Sequence, residues 1–218
     1  MAAFTDGANE ELKRRAAERF EALSIDPTQC KLEVLTIEQT RQELGFCKGL
    51  GTIKIPYYNI NGVASGLHRY RFIGEFEGFK YFQPKETGVE AYMMPAYTDW
   101  VESINDLSRP LLITEGEFKA MAGCANGFDT IGLGGVSSFV KDKYGTRRVI
   151  EPINSLPPKK VVYIAYDYDG NGTGEPKPEV AYAEDQLAAC LTLRGCDVRL
   201  VRLGTIGLRE KVGLDDFL

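Results

Sequence analysis

The sequence has one histidine, which excludes a hydrolase built on recurring histidines. Its five cysteines (Cys30, Cys47, Cys124, Cys190 and Cys196) form no Cys-x-x-Cys pair. With a lone histidine, that argues against a structural zinc site. Their odd number and wide spacing argue against a disulfide framework, and a reducing cytoplasm is the expected location. Met1 to Leu12 is polar, so no signal peptide is expected. No apolar run approaches the length needed to cross a membrane. There is no excess of positive charge; the net charge is −5. The glycine-rich stretch 132–138 is not followed by Gly-Lys-Ser/Thr, so it is no P-loop, and internal repeats and low-complexity tracts are absent.

What is present is a chain of 218 residues, 44% apolar and 26% charged. That is enough to bury a real core, in two small domains or one with an extension. Asn9 to Ser24 carries Leu12, Ala16, Phe20 and Leu23 at helical spacing. Thr36-Ile37-Glu38-Gln39 matches a capping box, with Gly45 as the stop of a short second helix. Thr52 to Tyr58 then alternates, Asn61-Gly62 is a hairpin turn, and Leu67 to Ile73, Phe79 to Phe82 and Ala91 to Met94 follow as strands. A small, mainly antiparallel sheet is expected, with Pro56 near an edge or bulge. From about Arg109 the pattern is β-α-β. Strands are expected at Pro110–Thr114, Phe128–Leu133, Val161–Tyr166 and Val198–Leu203, with helices at Glu117–Cys124 and Glu179–Arg194. Ser137 to Lys143 is expected as a short helix or turn. The fold class is therefore α/β, a parallel sheet flanked by helices, preceded by a small α+β domain. The expected divisions are a helical segment 1–45, a basic and aromatic β subdomain 46–105, and a catalytic domain 106–218. The sequence stops at Asp215-Asp216-Phe217-Leu218 without an end signal, as a fragment of something longer would.

Two acidic motifs carry the chemistry. Glu115-Gly116-Glu117 and Asp167-Tyr168-Asp169 each follow a short apolar run that reads as a buried parallel strand. Ligands gather outside the carboxyl ends of such strands. Three carboxylates delivered there repel one another unless a cation joins them. Hard oxygen ligands in that number suit Mg²⁺ or Mn²⁺, which then hold phosphates. Glu115 is a candidate general base or metal ligand, and Asp167 and Asp169 share a face of an extended segment and can chelate one ion. Asp216 is a further candidate ligand, beside Asp215. Against these stand blander readings. Glu115 alone suits a helix N-terminus, and Asp215-Asp216 suits a solvated acidic end. Asp167-x-Asp169-x-Asn171-Gly172 also opens like a calcium-binding EF-hand loop, but a strand precedes it and Pro178 stands at the twelfth position.

Phosphate contacts have their own candidates. From Phe46 to Lys85 six basic residues stand against two acids, among nine aromatic residues. Arg69, Arg71, Lys80 and Lys85 there suit a single-stranded nucleic acid, with aromatics stacking bases. Strand alternation nevertheless sends many of those aromatics into the core. Ser137, in the glycine-rich turn, and Lys141 and Arg147, in the cluster Lys141, Lys143, Arg147 and Arg148, are further candidates.

Taken together, the second half resembles a Toprim domain, the catalytic fold shared by bacterial-type primases, topoisomerases and certain nucleases. The likeness rests on the strand ending in Glu115-Gly116, the strand ending in Leu133-Gly134, Asp167-Tyr168-Asp169, and the acidic patch Gly213-Leu214-Asp215-Asp216-Phe217-Leu218. More weakly, Ile55-Pro56-Tyr57-Tyr58, Arg69-Tyr70-Arg71-Phe72 and Tyr81-Phe82-Gln83-Pro84-Lys85 are similar to the segment preceding Toprim in phage and plasmid primase-helicases. The resemblance implies a Mg²⁺- or Mn²⁺-dependent DNA primase, with single-stranded DNA template and nucleoside triphosphates as partners and a replicative helicase as an associated domain or protein. A Toprim nuclease and a non-catalytic nucleic-acid-binding module are the alternatives. The chain departs from the family at Lys119. The usual first motif is Glu-Gly-x-x-Asp, so a carboxylate has become a cation, which puts a second metal in doubt and places an ammonium near substrate phosphate.

Overall fold

The computed structural model describes residues 2–143, 146–167, 176–202 and 213–218. Contacts group the chain into two compact units, Met1–Tyr57 with Ala64–Gly88, and Tyr58–Val63 with Val89–Leu218. The division expected from sequence at residues 45 and 105 differs from this grouping. The helical segment shares a unit with the small sheet, and residues 89–105 go with the second unit.

In the first unit, α1 (Ala2–Ala22) buries Leu12, Ala16 and Phe20 on one stripe, as the spacing requires. Thr36 and Gln39 form a reciprocal capping box at the start of α2 (Ile37–Leu44), and Gly45 closes it in a left-handed conformation with φ 80°. Strands β1 (Glu33–Leu35), β2 (Gly51–Tyr58), β3 (Ala64–Ile73) and β4 (Tyr81–Phe82) form a sheet in that order. β1 faces only Thr52 to Lys54. Beyond Lys54 that side of β2 is an edge, which accommodates Pro56. Ala91–Met94 does not join this sheet; Tyr92 makes a single antiparallel bridge to Gly132 in the second unit.

The second unit centres on a parallel sheet of order β10-β9-β5-β6, namely Asp197–Leu200, Val161–Ala165, Leu111–Glu115 and Thr130–Leu133. One face packs Leu111, Ile113, Ile131, Leu133, Val162 and Ile164 against α5 (Pro178–Leu193) and α3 (Trp100–Asn105). The other carries Thr114, Ala165 and Gly132 beneath α4 (Glu117–Ala125) and the C-terminal 3-10 turn Leu214–Asp216. Helices on both faces are what a parallel sheet needs, since its strands are buried on both sides. Ser137–Phe139 is a turn, as expected, but Val140–Lys143 departs from the expected helix or turn and is a strand, β7, in a hairpin with β8 (Thr146–Val149).

Candidate functional site

The two acidic motifs sit where strand physics puts them. β5 and β9 are adjacent and parallel, with Thr114 opposite Ala165. The Thr114 hydroxyl donates to the Ala165 carbonyl at 2.8 Å and stitches the pair together at its carboxyl end. Glu115 and Asp167 therefore leave neighbouring strands at one edge, where strand spacing is about 4.8 Å. Between β5 and α4 the chain turns through Gly116 at φ 94°, a conformation that glycine adopts without strain.

Alternation separates the two carboxylates by face. Glu115 lies on the side of Tyr166, whose phenol donates to the Val136 carbonyl at 3.0 Å. Burial pushes that phenol far above its usual range, and the Glu115 and Glu184 carboxylates push it the same way. Asp167 lies on the α4 side. It is 6% exposed, and Lys119 Nζ donates to its Oδ2 at 2.5 Å. Lys119 thus forms an ion pair that links the helix after the first acidic motif to the second motif.

The C-terminal turn closes over this pair. A Cβ added at Gly213 would stand 2.6 Å from Asp215 Oδ1, 2.7 Å from Lys119 Cε and 3.2 Å from Asp167 Oδ1. Asp216 Oδ2 accepts from the Gly213 amide at 2.8 Å and so holds the turn. Sequence reasoning chose Asp216 for its charge and passed over Gly213. The signal was there, because a glycine precedes the two aspartates, but its need for space arises only in three dimensions.

Asp169 lies outside the described residues. Among the described residues no three Asp, Glu, His or Cys side chains gather to hold a metal ion. Glu115 and Asp167 each carry hard oxygen donors of the kind Mg²⁺ and Mn²⁺ take, leaving opposite faces of the sheet at its carboxyl edge, and Asp167 is engaged by the Lys119 ammonium.

The other candidates divide between the units. In the first, β3 alternates as expected, with Tyr70 and Phe72 buried and Arg69 and Arg71 on the opposite side. Both guanidinium groups lie over the Tyr81 ring, 5.2 Å and 5.0 Å from its centroid, and Arg71 donates to the Tyr81 hydroxyl at 2.7 Å. Phe46, Phe72, Phe79 and Phe82 pack on one another at centroid distances of 5.0 to 6.5 Å, a cluster that uses those rings structurally. Lys80 and Lys85 are exposed. In the second unit Ser137 is exposed in the turn after β6, with Lys141 on β7 and Arg147 on β8.

Residues 99–218, more than half of the sequence, match the family described as "Domain of unknown function (DUF3854)", and the chain belongs to that family. No curated protein matches it in sequence. In fold it is similar to primase catalytic cores. The Aquifex aeolicus primase, its zinc-binding and RNA polymerase domains, aligns at a TM-score of 0.59 and 18% identity over 98% of this chain and 56% of that one. A structure of the DnaG catalytic core aligns at 0.57 and 15% identity, over 98% of this chain and 73% of that one. The DnaG catalytic domain bound to single-stranded DNA aligns at 0.58 and 15%, over 93% and 66%. The mixed α/β architecture is that of a primase catalytic core.

Proposed function

We propose that this chain is a Toprim-type, primase-like module of a phage or plasmid replication protein, joining nucleotides on a single-stranded DNA template. The observation that carries the reading is the pair Glu115 and Asp167 on the carboxyl ends of adjacent parallel strands, in a fold shared with primase cores. Glu115, Asp167 and Asp169, with Asp216, would hold Mg²⁺ or Mn²⁺. When bound, the ion supplies charge for the triphosphate and acidifies the attacking hydroxyl. Glu115 takes the proton of the primer 3′-hydroxyl. Lys119 holds Asp167 until a nucleotide arrives, then offers its ammonium to phosphate. Arg69, Arg71, Lys80 and Lys85 neutralise template phosphates. Catalysis of this kind is mostly positioning and electrostatics.

The Lys119–Asp167 ion pair also favours a second reading, a non-catalytic module in which Lys119 replaces the metal. Incubation with labelled single-stranded DNA, nucleoside triphosphates and Mn²⁺ separates the possibilities. Extension that disappears in Asp167→Asn supports the primase. Shortening supports a Toprim nuclease. Titration calorimetry showing no Mn²⁺ binding that depends on Asp167 supports the binding module.

A further inference from the structure

Far from the carboxylates, the β7–β8 hairpin and the end of α5 enclose a concavity of about 420 Å³ lined by Lys141, Arg147, Arg148, Val149, Glu151, Asn154 and Arg194. Its charge is unbalanced. Lys141 and Arg148 are directly opposite one another in the antiparallel register. Like charges so placed destabilise a hairpin unless something relieves them. Among the described residues neither they nor Arg147 make an ion pair, although Asp142 stands opposite Arg147. The single carboxylate of the lining is already used. Glu151 accepts from the Asn154 amide at 2.9 Å and from the Ser155 hydroxyl at 2.6 Å. Arg194 is fixed as a rigid floor, donating to the Cys190 carbonyl at 2.9 Å, the Asn154 carbonyl at 3.1 Å and Asn154 Oδ1 at 2.5 Å. Four cations thus line one concavity against a single carboxylate, Glu151, and among the described residues none of the four makes an ion pair with it.

The place of this surface identifies its ligand. The Lys159 amide donates to the Gly195 carbonyl and the Asp197 amide to the Lys160 carbonyl, so α5 ends beside the start of β9. Arg194 therefore stands at the amino edge of the sheet and Asp167 at the carboxyl edge. The 16 residues of α5 span about 24 Å at about 1.5 Å per residue. A triphosphate bound at the carboxylates is too short to bridge that span. A nucleic-acid strand of several nucleotides is long enough to bridge it.

We infer that the β7–β8 hairpin and Arg194 form a second phosphate-binding site, which holds the sugar–phosphate backbone of a nucleic-acid strand several nucleotides away from the carboxylates. The choice of nucleic acid as the polyanion rests on the function proposed above. The test is anisotropy of a labelled 16-nucleotide single strand, with neither divalent metal nor nucleotide present, across a series of NaCl concentrations. The wild type is compared with the triple variant Lys141→Ala/Arg147→Ala/Arg148→Ala and with Lys141→Arg, each checked for folding by circular dichroism. The triple variant is expected to bind at least tenfold more weakly. Its log–log salt slope should be shallower by about 2, at roughly 0.7 per lost phosphate contact. Lys141→Arg should bind as the wild type does. Unchanged affinity and slope in a folded triple variant would overturn the site. So would inorganic tripolyphosphate competing as tightly as the oligonucleotide, which would make this a pocket for free phosphate chains. Binding lost in the triple variant while the wild type makes no product would overturn only the polymerising reading.

Discussion

Lys119 Nζ lies 2.5 Å from Asp167 Oδ2, joining the helix after the first acidic motif to the end of the strand that opens the second. Asp167 is 6% and Lys119 18% exposed, so neither charge is well solvated. Removing one member of such a pair leaves the other in a poor environment, at a cost of up to about 3 kcal/mol. Lys119→Met is therefore expected to lower the melting temperature in chelator. It should also raise Mn²⁺ affinity, because the competing ammonium is gone, and saturating Mn²⁺ should restore the melting temperature. Thermal denaturation with and without Mn²⁺ checks this. A variant that melts lower and is not rescued would mean that Asp167 is an ion-pair partner and no metal ligand.

How much of this was legible beforehand depends on the range of the interaction. The capping box at Thr36 and Gln39 and the strand–glycine–helix passage through Gly116 are local and were read correctly, as was the parallel architecture. The strand Val140–Lys143 was not. Val140 and Val149 are its only apolar anchors in the ladder, and Lys141, Asp142, Arg147 and Arg148 give no alternation of polarity. Ala91–Met94 was read as a strand of the small sheet because an apolar run does not name its partner, and its single bridge is to Gly132. The pairing of Lys119 with Asp167, 48 residues apart, follows only from the crossover that sets β9 beside β5.

The second unit contains a buried carboxylate with no part in the proposed chemistry. Asp129, 7% exposed, accepts from Ser103 Oγ at 2.7 Å, Thr98 Oγ1 at 3.2 Å and Arg109 Nη2 at 2.8 Å. It ties the residues around α3 to the start of β6. Asp129→Ala strands two buried hydroxyls and is expected to cost roughly 2–4 kcal/mol. Asp129→Asn, which keeps an acceptor, should cost less. Urea unfolding followed by circular dichroism checks the order of the two. Equal midpoints would show that the carboxylate charge, and not the hydrogen-bond network, sets the stability.

Glu43 gives the first unit a dependence on pH. Burial alone raises its carboxyl, but hydrogen bonds from Lys54 and Tyr70 and the Lys54 charge outweigh that and carry it below its ordinary value of 4.5. The contacts are 2.6 Å to Lys54 and 2.7 Å to Tyr70. A carboxyl depressed in the folded state contributes stability that is fully present above the unfolded value and lost as pH falls through the folded one. Glu43→Gln is therefore expected to be less stable than the wild type at pH 7, by about 1 kcal/mol. The difference should shrink as pH falls below about 4.5. Melting temperatures measured from pH 7 to pH 3 check this, and a constant difference across that range would remove Glu43 as the cause.

Gly213 tests whether the C-terminal turn positions the ion pair or merely covers it. A methyl group there meets Lys119 Cε at 2.7 Å and Asp215 Oδ1 at 2.6 Å, both on side chains that can move. The global cost of Gly213→Ala should accordingly be small, within about 1 kcal/mol, or a melting shift of about 2–4 °C for a chain of this size. The local effect should be larger, because Lys119 has to turn away from Asp167 or the turn has to lift from α4. Nucleotide incorporation is expected to fall at least tenfold, with Mn²⁺ affinity changed and the fold retained; Gly213→Val, which adds two further methyl groups, should fall further. If both variants incorporate nucleotides at the wild-type rate, the turn is a cover, and Lys119 reaches its phosphate, or fails to, independently of the residues that follow.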